Sequence, residues 1–261
     1  MKHAFFIGVL LLIIFRGNGQ KQYQLAEPLL QYRSAFFKDT AMLQMHFRQA
    51  STAIHYTING SDPKETDAVY KMPLVLKDKI SIVKARAFGN DFLPSEIATL
   101  TFIKTGLPFS AAEITKPDEK YKANGAATLT DNIGGIPGHG NGTWLGYQDD
   151  SVTITLNADK PLKVSEVLLD FLRDEGTWIF LPESISVFAE NGGKLQQVAT
   201  DVLSDKEPAD GSHCLYRELK LDKPVKTAKL LIKINTVKHI PGWHPGKGNH
   251  AWMFIDEIKV Y

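Results

Sequence analysis

The sequence predicts an all-β protein arranged as two successive β-sandwiches, and three observations carry that expectation. Short segments alternating apolar and polar residues recur between clusters of Gly, Pro, Asn and Asp. No window holds a sustained apolar stripe at helical spacing. The composition, 43% hydrophobic and 23% charged over 261 residues, suits a packed core and allows one or two domains.

The chain opens with Met1-Lys2-His3, an almost wholly apolar run from Ala4 to Phe15, and Arg16-Gly-Asn-Gly-Gln20. A basic start, a short apolar run and small residues after it read as a secretory signal over residues 1–20. A retained signal anchor is the other reading, although the run is short for a membrane span. The single Cys214 cannot form an intrachain disulfide, so packing or a bound ion must supply stability. These features suit a secreted, periplasmic or cell-surface bacterial protein with no membrane span after cleavage. Thirty basic against twenty-nine acidic residues give a formal charge of +1, and no Lys/Arg run exists, which argues against nucleic acid or an anionic membrane as partner.

The first domain is expected over residues 26–104. Ile54-His-Tyr-Thr-Ile58 alternates, with Ile54, Tyr56 and Ile58 expected on one buried side. Asn59-Gly-Ser-Asp-Pro63 is a turn whose Asn-Gly pair is a hairpin signal. Leu74–Leu76, Ile80–Phe88 and Ile97–Ile103 are further strands, the latter two separated by the Gly89-Asn90-Asp91 break. Seven or so short strands in this length point to a sandwich. The string Ile54–Pro63 with Tyr70, Pro73-Leu74, Lys84-Ala-Arg-Ala-Phe88 and Pro94-Ser95 resembles the fibronectin-III-associated module, also described as the C-terminal domain of chitobiase and β-hexosaminidase. The resemblance implies an immunoglobulin-like β-sandwich, and its residues are fold residues.

Thr105–Asp118 reads as a polar connector, and the second domain is expected over residues 119–261. Val152–Leu156 and Ser184–Phe188 alternate, Lys163–Leu172 favours strand over helix, and Asn191-Gly-Gly193 is a hairpin turn. Ala228–Ile234 and Met253–Tyr261 complete the set. Ala127-Thr-Leu-Thr-Asp131, Gly142-Thr-Trp-Leu-Gly146, Phe171-Leu172, Gly176–Pro182, Ile185-Ser-Val187 with Asn191-Gly192, and Ala251–Ile258 together resemble the discoidin, or coagulation factor 5/8 type C, jelly roll, which includes many carbohydrate-binding modules. The pair is similar to the C-terminal end of secreted bacterial family 20 β-hexosaminidases, whose catalytic barrel the remaining length here cannot hold.

That resemblance implies a structural calcium ion held by Asp131, Thr143 and Glu257, hard oxygen donors that would clasp the first loop to the last strand. The loop departs from the family at Asn132-Ile133 and is longer, with Gly134, Gly135, Gly138, Gly140 and Gly142. The residue-level alternative has Asp131 capping a turn and Glu257 in a salt bridge.

Candidate ligand residues are Trp144, Tyr147, Arg173, Trp178, Trp243 and His244, because a sugar's C–H face packs on flat rings while its hydroxyls need polar partners. Trp178 and Trp252, beside Ile179 and Phe254, read more readily as core of alternating strands. Trp243 and His244, between Pro241 and Pro245, read as surface. Trp144 and Tyr147 fall between, and Arg173, Asp174 and Glu175 read by default as a solvated loop.

Catalysis finds little support. Asp174-Glu175 and Asp256-Glu257 are adjacent pairs that point apart on a strand and cannot flank one glycosidic bond. His239, His244 and His250 lack helical zinc spacing, and no nucleophile elbow, phosphate loop or dinucleotide fingerprint occurs. The sequence thus predicts a non-catalytic glycan-binding protein, with N-acetylhexosamine-containing ligands implied by the hexosaminidase resemblance. The alternative is a docking module for a separate glycoside hydrolase at the cell surface.

Overall fold

The structure, a computed structural model, describes residues 23–203 and 211–261; the signal at 1–20 lies outside them. Strands dominate, in keeping with the predicted class. The N-terminal strands are β1 (Tyr23–Gln24), β2 (Leu29–Tyr32), β3 (Phe36–Phe37), β4 (Ala41–His46), β5 (Ala53–Thr57), β6 (Ala68–Val69), β7 (Leu74–Leu76), β8 (Ile80–Phe88), β9 (Phe92–Leu93) and β10 (Ala98–Lys104). They form a five-stranded sheet of order β3-β10-β8-β5-β6, a three-stranded sheet β2-β4-β7 and the pair β1-β9.

The chain falls into two compact units. One holds the described residues up to Gln31 with Gln44–Pro73 and Ile82–Leu100; the other holds Tyr32–Leu43, Leu74–Ser81 and Thr101–Tyr261. In the first, β5 pairs antiparallel with β8, and Val83, Ala85 and Ala87 are fully buried. The Asn-Gly turn differs from the expectation. Asn59 Oδ1 accepts from Ser61 N–H and Oγ–H, Gly60 N–H bonds Ile82 O at 2.9 Å, and the chain reaches its partner strand only at Ala68. Ile58 is exposed, and His55 is buried with its ring edge-on to Phe88 at 5.3 Å. The side-chain amide of Asn59 locks a local turn before a tight hairpin can close.

The second unit is built on β11 (Ser110–Ile114), β12 (Leu145–Tyr147), β13 (Ser151–Arg173), β14 (Ser184–Asn191), β15 (Lys194–Val202), β16 (His213–Asn235) and β17 (Met253–Val260). Their order is β12-β17-β13-β16-β14-β15, with β11 on β13. The expected connector therefore contains a paired strand, since Ser110–Ile114 matches Asn157–Ile154 across one register shift. The segments expected as separate strands around Pro161 are one strand. β13 and β16 pair from Ser151↔Asn235 to Arg173↔His213, with register shifts between Asn157/Leu162 and Val164/Glu166. Pro161 falls in the first irregularity and Pro224 in the second, where no ladder N–H is needed. Side chains from both halves of β13, among them Ile154, Leu156, Val167, Leu169 and Phe171, meet in one core with Leu145, Val187, Ile232 and Ile255. The long strands bend so that one sheet closes over itself as a sandwich. The Asn191-Gly192-Gly193 hairpin forms as expected, joining β14 to β15.

Candidate functional site

β13 ends at Arg173, and the chain reverses through a 3-10 turn at Glu175–Thr177. Asp174 and Ile179 exchange backbone hydrogen bonds at 3.0 Å each, so the loop between them is closed at its base. At its end Trp178 holds φ at +69°, a conformation that a bulky side chain rarely adopts. Its carbonyl accepts Trp252 N–H at 2.8 Å, and its own N–H bonds Glu175 O at 2.9 Å.

The loop between β16 and β17 is equally constrained. Ile240 N–H bonds Asn249 O at 2.8 Å, Gly248 N–H bonds Ile240 O at 3.0 Å, and Ala251 N–H bonds Val237 O at 3.1 Å. Ile240 and Ala251 bury against Phe180. His244, expected on the surface, is instead buried: its Nε2 donates to Glu175 O at 2.9 Å, and its Nδ1 accepts Gly246 N–H at 3.0 Å. Those two bonds fix the tautomer with the proton on Nε2. Arg173, taken by default as solvated, places Nε and Nη2 at 2.8 and 2.5 Å from Glu175 Oε1, with both side chains largely buried. His244 thus braces the two loops through Glu175, whose carboxylate is engaged by Arg173.

What these loops present is indole. Trp243 is 45% exposed and Trp178 38%, the latter more open than its strand-like sequence context suggests. Trp243 leans on Phe180 and His244 at 6.2 and 5.5 Å between ring centroids. Trp178 lies on Gly246, where a Cβ would come within 2.8 Å of the ring. On the same two loops Asp174 is half-buried and Lys247 exposed. The arrangement offers exposed flat apolar faces on loops closed by backbone hydrogen bonds.

Trp144 and Tyr147 lie elsewhere. Trp144 is 1% exposed, donates Nε1–H to Ile136 O at 2.8 Å, and packs on Gly135, where a Cβ would fall 2.3 Å from the ring. Tyr147 is fully buried, and burial raises its phenol well above the usual value. Both rings are closed to a ligand. Their neighbours explain why: Gly135 admits the indole of one, and β12 inserts the other into the main core. Trp252, half-buried, packs edge-on to Tyr121 at 5.1 Å and tilted to Phe254 at 5.9 Å.

Each of the three residues expected to hold calcium is hydrogen-bonded within the chain. Asp131 Oδ1 accepts Ile133 N–H at 2.8 Å, and Thr143 Oγ1 donates to Asn141 Oδ1 at 2.7 Å. Glu257 Oε1 accepts Asn132 N–H at 2.5 Å, and its Oε2 is met by the Lys259 ammonium. Among the described residues no set of three or more His, Cys, Asp or Glu side chains is arranged to hold a metal ion. Nearby, burial pushes Asp256 up to about 8, and Glu257 up to about 7 even with Lys259 beside it. Asp170, whose carboxylate oxygens have no hydrogen-bond partner among the described residues, is raised well above the usual range by burial and by the Asp256 and Glu257 charges.

Among the described residues no helix is long and apolar enough to cross a membrane. No curated protein matches the sequence. Similar solved structures include the family 32 carbohydrate-binding module of Streptococcus pneumoniae EndoD, at 12% identity and a TM-score of 0.40 over 59% of this chain and 95% of that one. They also include the family 32 module of C. perfringens NanJ in complex with galactose, at 19% identity and a TM-score of 0.40 over 60% and 97%. A third is the CBM32-3 module of a family 31 glycoside hydrolase from Clostridium perfringens, at 16% and 0.39 over 59% and 90%. In sequence, residues 43–102 match the family model described as Fn3 associated.

Proposed function

We propose that this is a secreted, non-catalytic carbohydrate-binding protein that recognises N-acetylhexosamine-containing or related glycans through the indoles of Trp178 and Trp243. The observation that carries the reading is the pair of exposed tryptophans on two loops linked by the buried His244 to Glu175 hydrogen bond. Rigid, exposed rings lose little entropy on binding, and the strained backbone at Trp178 is the kind of cost retained where a side chain must be aimed. A shallow single site of this kind binds at roughly 10 μM to 1 mM.

A glycan-array screen of the chain from Lys21 onward tests this. Signal on a defined glycan class, lost in Trp243→Ala and Trp178→Ala, supports the reading; a blank array from folded protein removes it. The second reading, a docking module for a separate glycoside hydrolase, is favoured by one surface. Met42 and Val75 face each other across β4 and β7 and are 58% and 54% exposed, an apolar pair suited to a protein partner.

A further inference from the structure

The Lys259 ammonium pairs with Glu257, one of the residues to which the resemblance assigns a metal ion. Lys259 and Glu257 are two residues apart on β17, so both side chains leave the same face of the strand. They are 6% and 2% exposed. The ammonium donates to Glu257 Oε2 and, at 3.0 Å, to Asn132 Oδ1. Asn132 closes the ring by donating its backbone N–H to Glu257 Oε1 at 2.5 Å, from a left-handed conformation of φ +64° that asparagine tolerates. The ammonium also faces the Phe36 ring, 4.9 Å from its centroid. The first loop is therefore tied to the last strand by a positive charge supplied by the chain itself.

We infer that Lys259 replaces calcium as the clasp between the Asp131–Ile133 loop and β17, and that this jelly roll folds and works without a bound metal. A divalent cation at Glu257 would have to displace the ammonium or sit in contact with it, and like charges that close repel strongly in a buried setting. Of the expected ligands, Asp131 Oδ1 accepts Ile133 N–H and Thr143 Oγ1 donates to Asn141 Oδ1. This inference is independent of which ligand the tryptophans take.

The test is thermal unfolding of the chain from Lys21 onward after exhaustive EDTA dialysis, with and without added calcium. The expected result is one Tm in both buffers and no saturable heat in a calcium titration. A metal bound to the native state at about a hundred times its dissociation constant would raise Tm by roughly 5–10 °C, and that result overturns the inference. Lys259→Met is expected to lower Tm by several degrees in EDTA, and the double variant Lys259→Met/Glu257→Gln to recover part of the loss, because the carboxylate no longer lacks its cation. A Lys259→Met protein as stable as the parent would also overturn it. If Lys259→Met does not fold, the calcium titration of the parent still decides.

Discussion

Gly246 lies against the indole of Trp178, so close that a methyl group there would fall within 2.8 Å of the ring and force it to move. Gly246→Ala is expected to leave Tm nearly unchanged, since a ring at the surface can swing away, while weakening glycan binding at least several-fold. Paired melting and titration curves check this. Equal affinity in the variant would mean that the seat of the indole does not matter.

Trp144 and Trp243 should separate structure from recognition. Trp144→Ala removes a fully buried ring and is expected to cost about 3–5 kcal/mol of stability. Trp243→Ala, at a half-open position, should cost about 1 kcal/mol or less and abolish glycan signal. Denaturant unfolding of both variants distinguishes them.

Removing Glu175 takes away a nearly buried carboxylate that bonds Arg173. Glu175→Ala is expected to destabilise the protein by about 1.5–3 kcal/mol, because the carboxylate is 4% exposed and its charged hydrogen bonds to Arg173 are lost. Its backbone carbonyl still accepts His244 Nε2, so the loop keeps one brace. Hydrogen exchange should therefore rise around Thr177–Ile179 more than around Ile240–Asn249.

Stability should fall as pH rises. Asp170 and Asp256 hold protons in the folded state far above their ordinary carboxylate range, Asp256 to about 8. The native state then binds more protons than the unfolded one between about pH 4 and 8, so stability is fullest below that window and declines through it. Tm measured at both ends of the window should be higher at the acid end. Asp170→Asn should shrink the difference; an unchanged slope would place the buried charge elsewhere.

How far the sequence reveals this molecule differs by feature. The alternation in Val152–Leu156 and Ser184–Phe188 and the turn at Asn191-Gly-Gly193 announce their strands, because period and turn chemistry are local properties. Pro161 hides the continuity of β13, since a proline that ends most strands is tolerated in a bulge. At the candidate site, the exposure of Trp243 is legible from its flanking prolines, whereas the burial of His244, Trp144 and Tyr147 depends on what folds over them. The seat at Gly246 and the shelf at Phe180 have no local signal. Lys259 had one: its two-residue spacing from Glu257 on a strand already places both on a single face.

The two long strands have a dynamic consequence. One hydrogen-bonded ribbon, β13 with β16, serves both layers of the second unit, so neither layer can open without unzipping the strands that hold the other. Amide protection along Val152–Leu156 and Val167–Phe171 should therefore vanish together, at the free energy of whole-unit unfolding. The loops carrying Trp178 and Trp243 are anchored to that same cooperative block, which keeps two exposed aromatic rings from becoming the first place where the protein frays.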